Sequence, residues 1–201
     1  MTMRISILGT RGIPARYGGN EVCAEQVATR LSTRGYEVTV YCRGTNGAGS
    51  DEINGGVRRV FLPSAGGKHL DTLGHTFLSA LRAIPRRPDV LHCFGVGNAP
   101  LLPLLGRVGK RTVISVDGMD WRRDKWGRWA KLYLRHCARL AVGLADACVT
   151  DSRAVARFYA QQFGKEPLYI PNGAEMVQPS TSDALRGYGL EKDRYILFVG
   201  R

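Results

Sequence analysis

The sequence predicts an α/β fold in which a parallel β-sheet is covered by helices on both faces. Short apolar runs alternate along the 201-residue chain with longer segments whose apolar residues recur at helical spacing. The run at residues 112–116 carries no charge, which is typical of a strand inside a parallel sheet. The first apolar run leads into a glycine-rich loop and then into a helical segment, the order found at ligand sites of α/β proteins.

The first half of the chain alternates regularly between the two kinds of element. Its predicted strands are residues 5–8, 36–42 and 57–62, and its predicted helices are residues 21–34 and 70–84. Gly35 follows the first helix, where glycine favours a C-terminal cap, and Pro63 ends the third strand. Residues 43–56 are rich in Gly, Asn and Ser, so we expect a loop there.

The second half continues the pattern. Its predicted strands are residues 89–94, 112–116, 146–150, 168–170 and 195–199, and its predicted helices are residues 100–106, 124–144, 152–163 and 180–187. Pro85 and Pro88 frame the break before the first of these strands, and Ser152 is placed to cap the helix that follows it. The apolar strand at 195–199 has no helix after it to cover its second face. We therefore expect residues 1–178 to form a complete N-terminal domain, and residues 179–201 to form a linker and the first strand of a second domain.

Composition limits the classes of function. Hydrophobic residues make up 44% of the chain, which is ample for a core, and 29 basic against 17 acidic residues give a net charge of +12. Such a charge indicates an anionic partner: a phosphorylated small molecule, a nucleic acid or an acidic membrane surface. The five cysteines have wide spacings and no CxxC motif, which favours reduced thiols over disulfides or zinc. With no signal peptide and no spanning segment evident, we expect a cytoplasmic protein that is soluble or peripheral at the inner face of the cell membrane.

The stretch GTRGIPARYGGNE at residues 9–21 is the strongest candidate for a ligand site. Gly18 and Gly19 allow the backbone to approach a ligand closely, and the helix that follows offers free N–H groups and a positive dipole end suited to phosphate. A plain strand-to-helix connection is the alternative, but this loop is longer than such connections usually are. In a parallel sheet the ligand lies beyond the carboxyl ends of the strands, so the loops at 95–98, 117–125 and 172–175 are expected nearby.

Other chemistries fit less well. The G-x-G-x-x-G fingerprint of nicotinamide dinucleotide sites is absent, although Arg43 after the second strand leaves NADP open. The four histidines are far apart, so no metal site is predicted. Aromatic residues are not interleaved with basic ones as a binder of single-stranded nucleic acid requires, so we expect no nucleic-acid partner.

The helix at 124–144 carries a second signal. At helical spacing its basic residues form one stripe, made of Arg128, Lys131, Arg135 and Arg139. Its apolar residues are expected opposite and against the sheet: Trp126, Ala130, Tyr133, Cys137, Leu140 and Leu144. The stripe is either a solvated outer face or a surface that faces anionic lipid head groups. In the second case we expect adsorption by charge rather than insertion.

Several motifs together resemble the N-terminal half of family 4 glycosyltransferases of the GT-B architecture. They are RISILGTRGIPARYGGNE, DVLHCFGVGNAP, VDGMDWRRDKWG, ADACVTDSRAV, IPNGAE and YILFVGR. The pair TRGIPARYGGNE and DGMDWRRDKWG is most similar to the subgroup that includes rhamnosyltransferases of bacterial polysaccharide assembly. The resemblance implies a Rossmann-like acceptor-side domain. It implies retaining transfer of a sugar, rhamnose being a candidate, from a nucleotide-sugar donor to a lipid-linked or polysaccharide acceptor, with no metal and no cofactor besides the donor.

The resemblance also assigns roles to residues. Gly18, Gly19 and Arg201 are expected beside the donor diphosphate, where a guanidinium offsets charge on the leaving group. Asp117 stands where many relatives have a histidine near the donor sugar, so it is the expected catalytic residue. The expected acceptor-side residues are Tyr17, Asn20, Glu21, Asp120, Trp121 and Arg122. The glutamate-rich donor motif of the family lies in a second domain, so this chain alone is expected to be inactive. The alternative is a basic module without chemistry that binds an anionic membrane or polymer.

Overall fold

The computed structural model describes residues 2–16, 18–44, 51–64, 71–174, 183–191 and 193–198. These residues form one eight-stranded sheet with helices on both faces, as the sequence predicts. The strands are β1 (Arg4–Leu8), β2 (Glu37–Arg43), β3 (Asp51–Asn54), β4 (Val57–Leu62), β5 (Val90–Phe94), β6 (Arg111–Ser115), β7 (Ala147–Thr150) and β8 (Leu168–Tyr169). The α-helices are α1 (Gly19–Thr33), α2 (Asp71–Ala83), α3 (Leu102–Val108), α4 (Arg128–Leu144), α5 (Arg153–Phe163) and α6 (Asp183–Gly187).

The strands are arranged in the order β3-β4-β2-β1-β5-β6-β7-β8. All neighbours pair in parallel except β3 and β4, which are antiparallel. The order along the chain changes direction between β1 and β5, which is the switch point where α/β sheets bind ligands. Gly9 fits this junction because its φ is +90° and a side chain there would collide with the Phe94 carbonyl oxygen at the end of β5.

The two faces of the sheet bury separate cores. One face packs against α2, α3, α4 and α5, whose small residues, such as Ala80 and Ala138, lie fully buried against the strands. The other face packs against α1 through Ala24 and Ala28. Leu8 and Ile7 are neighbours on β1 but belong to opposite cores, which follows from the alternation of side chains along a strand.

The caps expected from the sequence are present. Gly35 follows α1 with φ +87° and donates its N–H to the Ser32 carbonyl oxygen. The Ser152 hydroxyl accepts the Val155 N–H at 3.4 Å and caps α5. All five cysteines are free thiols.

The structure differs from the sequence prediction at two segments. The segment 43–56, expected as a loop, contains β3, whose four residues are all exposed and pair with β4 at the edge of the sheet. The strand expected at 195–199 is not formed in its described part, because residues 195–198 pair with no strand and Ile196 is fully exposed. The helix expected at 124–144 begins later, at Arg128, and a short 3₁₀ helix covers Asp120–Arg122.

Candidate functional site

The carboxyl ends of β1, β5, β6, β7 and β8 form one edge of the sheet, and the loops that leave them carry the residues expected to bind a ligand. At this edge Asn20, Asp117, Asp120 and Asp151 interact through a hydrogen bond or through their charges, and Gly18 and Gly19 directly precede Asn20 at the start of α1. We call this group the rim site.

The start of α1 is open. Gly18 precedes the helix with φ 106° and ψ 145°, a conformation that favours glycine, and no side chain in the described parts of the chain caps the helix. Among the described residues, a side-chain carbon added at Gly19 would meet no atom within 4 Å beyond its chain neighbours and the backbone of its own helix. Arg11 and Arg16 are exposed on the preceding loop. The free N–H groups of the first turn and the positive dipole end therefore face space that a diphosphate can enter.

Glu21 and Glu25 hold the glycine loop against α1. Glu21 Oε1 accepts the backbone N–H of Arg11 at 3.0 Å, and Glu25 Oε2 accepts that of Ala15 at 2.9 Å. The other oxygen of Glu21 lies where a side chain at Gly18 would point. Glu21, expected on the acceptor side, thus has its carboxylate engaged with the loop.

Asn20 and Asp117 join α1 to the loop after β6. Asn20 Nδ2 donates to Asp117 Oδ2 at 2.7 Å, although 97 positions separate the two residues along the chain. The expected catalytic carboxylate therefore lies within one hydrogen bond of the helix start. The helix start expected to bind the diphosphate and the carboxylate expected beside the sugar therefore lie next to each other.

The pKa of Asp117 is raised above the ordinary value of an aspartate. Desolvation by the surrounding protein is the largest cause, and the carboxylates of Asp120 and Asp151 add to it. The hydrogen bond from Asn20 and the charge of Arg123 act in the opposite direction. A carboxyl group with a raised pKa holds a proton more readily, and it can donate a hydrogen bond to a sugar hydroxyl when protonated and accept one when ionised.

Two residues were not singled out by the sequence reasoning: Asp151, which belongs to the rim site, and Cys23, which lies beside it. Asp151 follows β7 directly, and its Oδ2 accepts Asn172 Nδ2 at 2.8 Å, which ties the loop after β8 to the loop after β7. Cys23, one turn into α1, is half-buried, and its pKa is raised by burial and then by the charges of Asp117 and Asp151. The position of Asp151 at the carboxyl end of a predicted strand was the signal that could have found it.

Trp121 anchors the loop after β6 to α5. Its ring lies 5.9 Å from Phe158, 6.1 Å from Tyr159 and 6.3 Å from Phe163, measured between centroids. Arg122 places its guanidinium 4.7 Å from the centroid of Phe158. Trp121, expected to contact the acceptor, is thus half-buried in an aromatic cluster.

Of the three remaining expected residues, one is located and two lie outside the described parts of the chain. Asp120 is half-buried and pairs with the Arg123 guanidinium at 3.2 Å, so it lies at the rim with its charge partly neutralised. Tyr17 and Arg201 lie outside the described residues. Within the described ranges, no three side chains of the His, Cys, Asp or Glu types converge as metal ligands do.

Three of the four residues in the predicted basic stripe of α4 are exposed, and the fourth forms an ion pair. Arg128, Arg135 and Arg139 are exposed, while Lys131 pairs with Asp124 at 3.6 Å. The predicted apolar side of the helix is confirmed in part: Cys137 is buried, but Leu144 is 48% exposed. The residues that pack on the sheet are Leu134, Cys137, Ala138, Ala141 and Val142. No helix in the described part of the chain has both the length and the hydropathy needed to cross a bilayer.

Comparison with known proteins gives one family and one fold. The sequence profile of Glycosyltransferase Family 4 matches residues 17–178, which is most of the chain. No curated protein matches the sequence.

Two solved structures share the fold at low identity. A sucrose-phosphate synthase from Thermosynechococcus elongatus has a TM-score of 0.57 and 13% identity, over 86% of this chain and 90% of that chain. UGT2 of Phytolacca americana, solved with UDP-2fluoro-glucose and pterostilbene, has a TM-score of 0.56 and 13% identity, over 92% of this chain and 56% of that chain. The chain therefore spans little more than half the length of the plant protein.

Proposed function

The chain belongs to glycosyltransferase family 4, and we propose that it is the acceptor-side domain of a GT-B enzyme that transfers a sugar from a nucleotide-sugar. The observation that supports this is the open helix start at Gly18 and Gly19, joined by Asn20 to the carboxylate of Asp117. A helix N-terminus suits the diphosphate of the donor, and a carboxylate beside it suits the sugar.

The finer parts of the proposal come from the motifs. We propose a retaining transfer of rhamnose or a similar sugar to a lipid-linked or polysaccharide acceptor, in the synthesis of a cell-surface glycan. The retaining step needs no separate base if the leaving phosphate accepts the proton of the acceptor hydroxyl. Asn20, Asp120 and Arg122 remain the proposed acceptor contacts, while Glu21 and Trp121 are proposed to hold the site in shape. Tyr17 on the acceptor side and Arg201 on the diphosphate complete the proposed set.

The domain division is also proposed. Residues 1–178 would form the acceptor-side domain, and residues 179–201 would be a linker and the first strand of a donor-binding domain. The support is the exposure of Ile196, Leu197 and Phe198, an apolar segment without a partner in the described chain. A strand of a further sheet would bury such side chains.

A binding experiment tests the diphosphate seat without needing a complete enzyme. ¹⁵N-labelled protein is titrated with a panel of nucleoside diphosphates and with the matching nucleosides. We expect the amide resonances of residues 18–21 to shift with the diphosphates and not with the nucleosides. G19V should weaken binding about tenfold or more, because it places a side chain in the space that the phosphates would occupy.

The matched control is G143A, in the last turn of α4. A side-chain carbon added at Gly143 is likewise free of contacts within 4 Å from the described residues outside its own helix backbone, and Gly143 has no left-handed φ, but it lies away from the helix start of α1. The proposal fails if the shifts appear only at arginines of α4 and sulfate reproduces them. That outcome would instead favour the alternative function, a basic module that binds anionic membranes or polymers.

A further inference from the structure

The outer face of α4 combines exposed apolar side chains with unpaired arginines. Trp129 is 84% exposed and Leu132 is 61% exposed, which is unusual for large apolar side chains at neighbouring positions of one face. Arg128, Arg135 and Arg139 lie along one side of them at helical spacing. We call these five residues the basic–apolar face of α4.

Within the described part of the chain, α4 packs on the sheet through its other side, and the basic–apolar face stays exposed. The helix packs on the sheet through Leu134, Cys137 and Ala138, which project to the opposite side. Tyr133 is fixed separately, since its hydroxyl donates to the Gly97 carbonyl oxygen at 2.8 Å. Among the described residues, the three arginines of the face form no ion pair and Trp129 has no ring contact.

We propose that the basic–apolar face of α4 is an interfacial anchor for an anionic lipid bilayer. Trp129 and Leu132 insert between the head groups, and Arg128, Arg135 and Arg139 bind lipid phosphates. The charge of the arginines complements an anionic surface, and a tryptophan beside arginines matches the composition of helices that lie in a membrane interface. This goes beyond the adsorption by charge alone that the sequence suggested.

The position of the face relates it to the rim site. α4 begins at Arg128, directly after the loop that carries Asp117 and Asp120, so the exposed tryptophan lies in the first turn and at the carboxyl edge of the sheet. A bilayer held by this face lies beside the rim site and presents lipid-borne hydroxyls to it. Only this last step, the delivery of acceptor, rests on the proposed function; the membrane contact itself does not.

Vesicle co-sedimentation tests the contact. The wild-type chain is expected to bind vesicles of phosphatidylcholine with phosphatidylglycerol and not vesicles of phosphatidylcholine alone. W129A/L132A and R128E/R135E/R139E should each lower the partition coefficient about tenfold or more, since the burial of apolar side chains and the attraction between charges both contribute to interfacial binding. All five side chains are exposed, so their replacement leaves the buried side of α4 intact. Circular dichroism checks that each variant is folded.

Matched controls lie on other parts of the molecule. R30E/R34E removes two exposed arginines at the C-terminal end of α1, on the opposite face of the sheet, and I53A removes an exposed apolar side chain from β3 at the far edge. Both variants should bind vesicles as the wild type does. If R30E/R34E weakens vesicle binding as strongly as R128E/R135E/R139E does, then binding depends on the net charge of the protein and not on α4. The proposal of a membrane anchor at α4 would then be wrong.

Insertion has its own measurement. Brominated lipids quench tryptophan fluorescence only when the indole enters the bilayer, so the quenching seen for wild type should be lost in W129F. If W129A/L132A still binds vesicles and the wild type shows no quenching, the arginines alone hold the protein to the surface, and the insertion of Trp129 and Leu132 is overturned. No vesicle binding at all would overturn the lipid partner. Neither result affects the diphosphate titration, because the vesicles contain no nucleotide, so the two proposals fail separately.

Discussion

Asp117 combines exposure at the rim site with surroundings that disfavour its charge. Its pKa is raised in the folded chain, first by desolvation and then by Asp120 and Asp151. Between its unfolded and folded pKa values the folded state binds more protons than the unfolded state, so this residue lowers the stability as pH rises through that window. D117N removes the titration and keeps an oxygen that can accept the Asn20 N–H. We expect the free energy of unfolding of D117N to exceed that of wild type at pH 7.

The difference should shrink on acidification. Below the unfolded pKa of aspartate, about 3.9, both states of the wild type carry a protonated Asp117, and the variant loses its advantage. Urea denaturation at pH 7 and at lower pH measures this. N172A serves as the control, because it breaks the bond to Asp151 and leaves Asp117 unchanged. A D117N variant that is less stable than wild type at pH 7 would contradict the assigned cause.

Single residues show where sequence reasoning succeeds and where it stops. Gly18 and Asp117 could be placed at one edge from strand order alone, because parallel strands bring their carboxyl ends together. The contacts of Glu21 and Trp121 could not be predicted in the same way. Their partners, the Arg11 amide and the aromatic rings of α5, lie 10 or more positions away, and no periodicity encodes such contacts.

At the scale of elements, the two glutamates of α1 predict a separable effect on the glycine loop. Each accepts one backbone N–H from it, Glu21 from Arg11 and Glu25 from Ala15. Removing one acceptor leaves the other bond in place. We expect E21A to speed hydrogen exchange at the Arg11 amide and E25A to speed it at the Ala15 amide, each by about fivefold if the bond contributes about 1 kcal/mol.

The two variants control each other. Exchange that rises at both amides in both variants would mean that the loop opens as one unit, contrary to the separate bonds. Exchange that changes in neither would mean that other groups hold the loop.

The aromatic cluster between the loop after β6 and α5 predicts a loss of stability. Trp121 contacts Phe158, Tyr159 and Phe163, and Tyr159 is fully buried. W121A leaves a cavity there, so we expect the free energy of unfolding to fall by about 2–3 kcal/mol, below the usual cost of a fully buried tryptophan because the ring is half-buried.

W129A is the matched variant for this measurement. Trp129 is 84% exposed, and its removal should change the free energy of unfolding by no more than about 0.5 kcal/mol. Guanidinium denaturation of the two variants compares them directly. Equal losses would show that the cluster does not stabilise the fold.

Elements also show why two segments differ from the sequence prediction. β3 has the sequence DEIN and no buried residue, so no apolar alternation marks it; its pairing with β4 at the sheet edge creates it. Residues 195–198 have a strongly apolar sequence, yet the described chain offers them no strand to pair with. Strand propensity describes a fit to a neighbouring strand, and it needs that neighbour to become structure.

At the scale of the whole molecule, helices cover the sheet unequally, with α1 on one face and α2 to α5 on the other. The sequence predicted that both faces are covered, but not this asymmetry, because periodicity gives the buried side of a helix and not the face of the sheet that it meets. The rim site is built where α1 starts. Its open helix end and its carboxylate therefore come from opposite sides of the switch point between β1 and β5.

The segment of Ile196, Leu197 and Phe198 predicts a property of the whole chain in solution. These side chains are 100%, 71% and 86% exposed, and they are contiguous. A contiguous exposed apolar segment favours association between molecules. We expect I196S/L197S/F198S to lower both the binding of the dye ANS and the concentration-dependent increase in sedimentation coefficient. The free energy of unfolding should stay within about 0.5 kcal/mol of wild type, because no core contact is removed.

I53S controls for the loss of an isolated apolar side chain. Ile53 is 68% exposed but stands alone among polar neighbours on β3, so its replacement should leave association unchanged. If I53S lowers association as much as the triple variant does, the contact lies at the exposed edge of the sheet. If the triple variant unfolds more easily than wild type, the segment packs against the domain in solution, and its exposure would not explain the association.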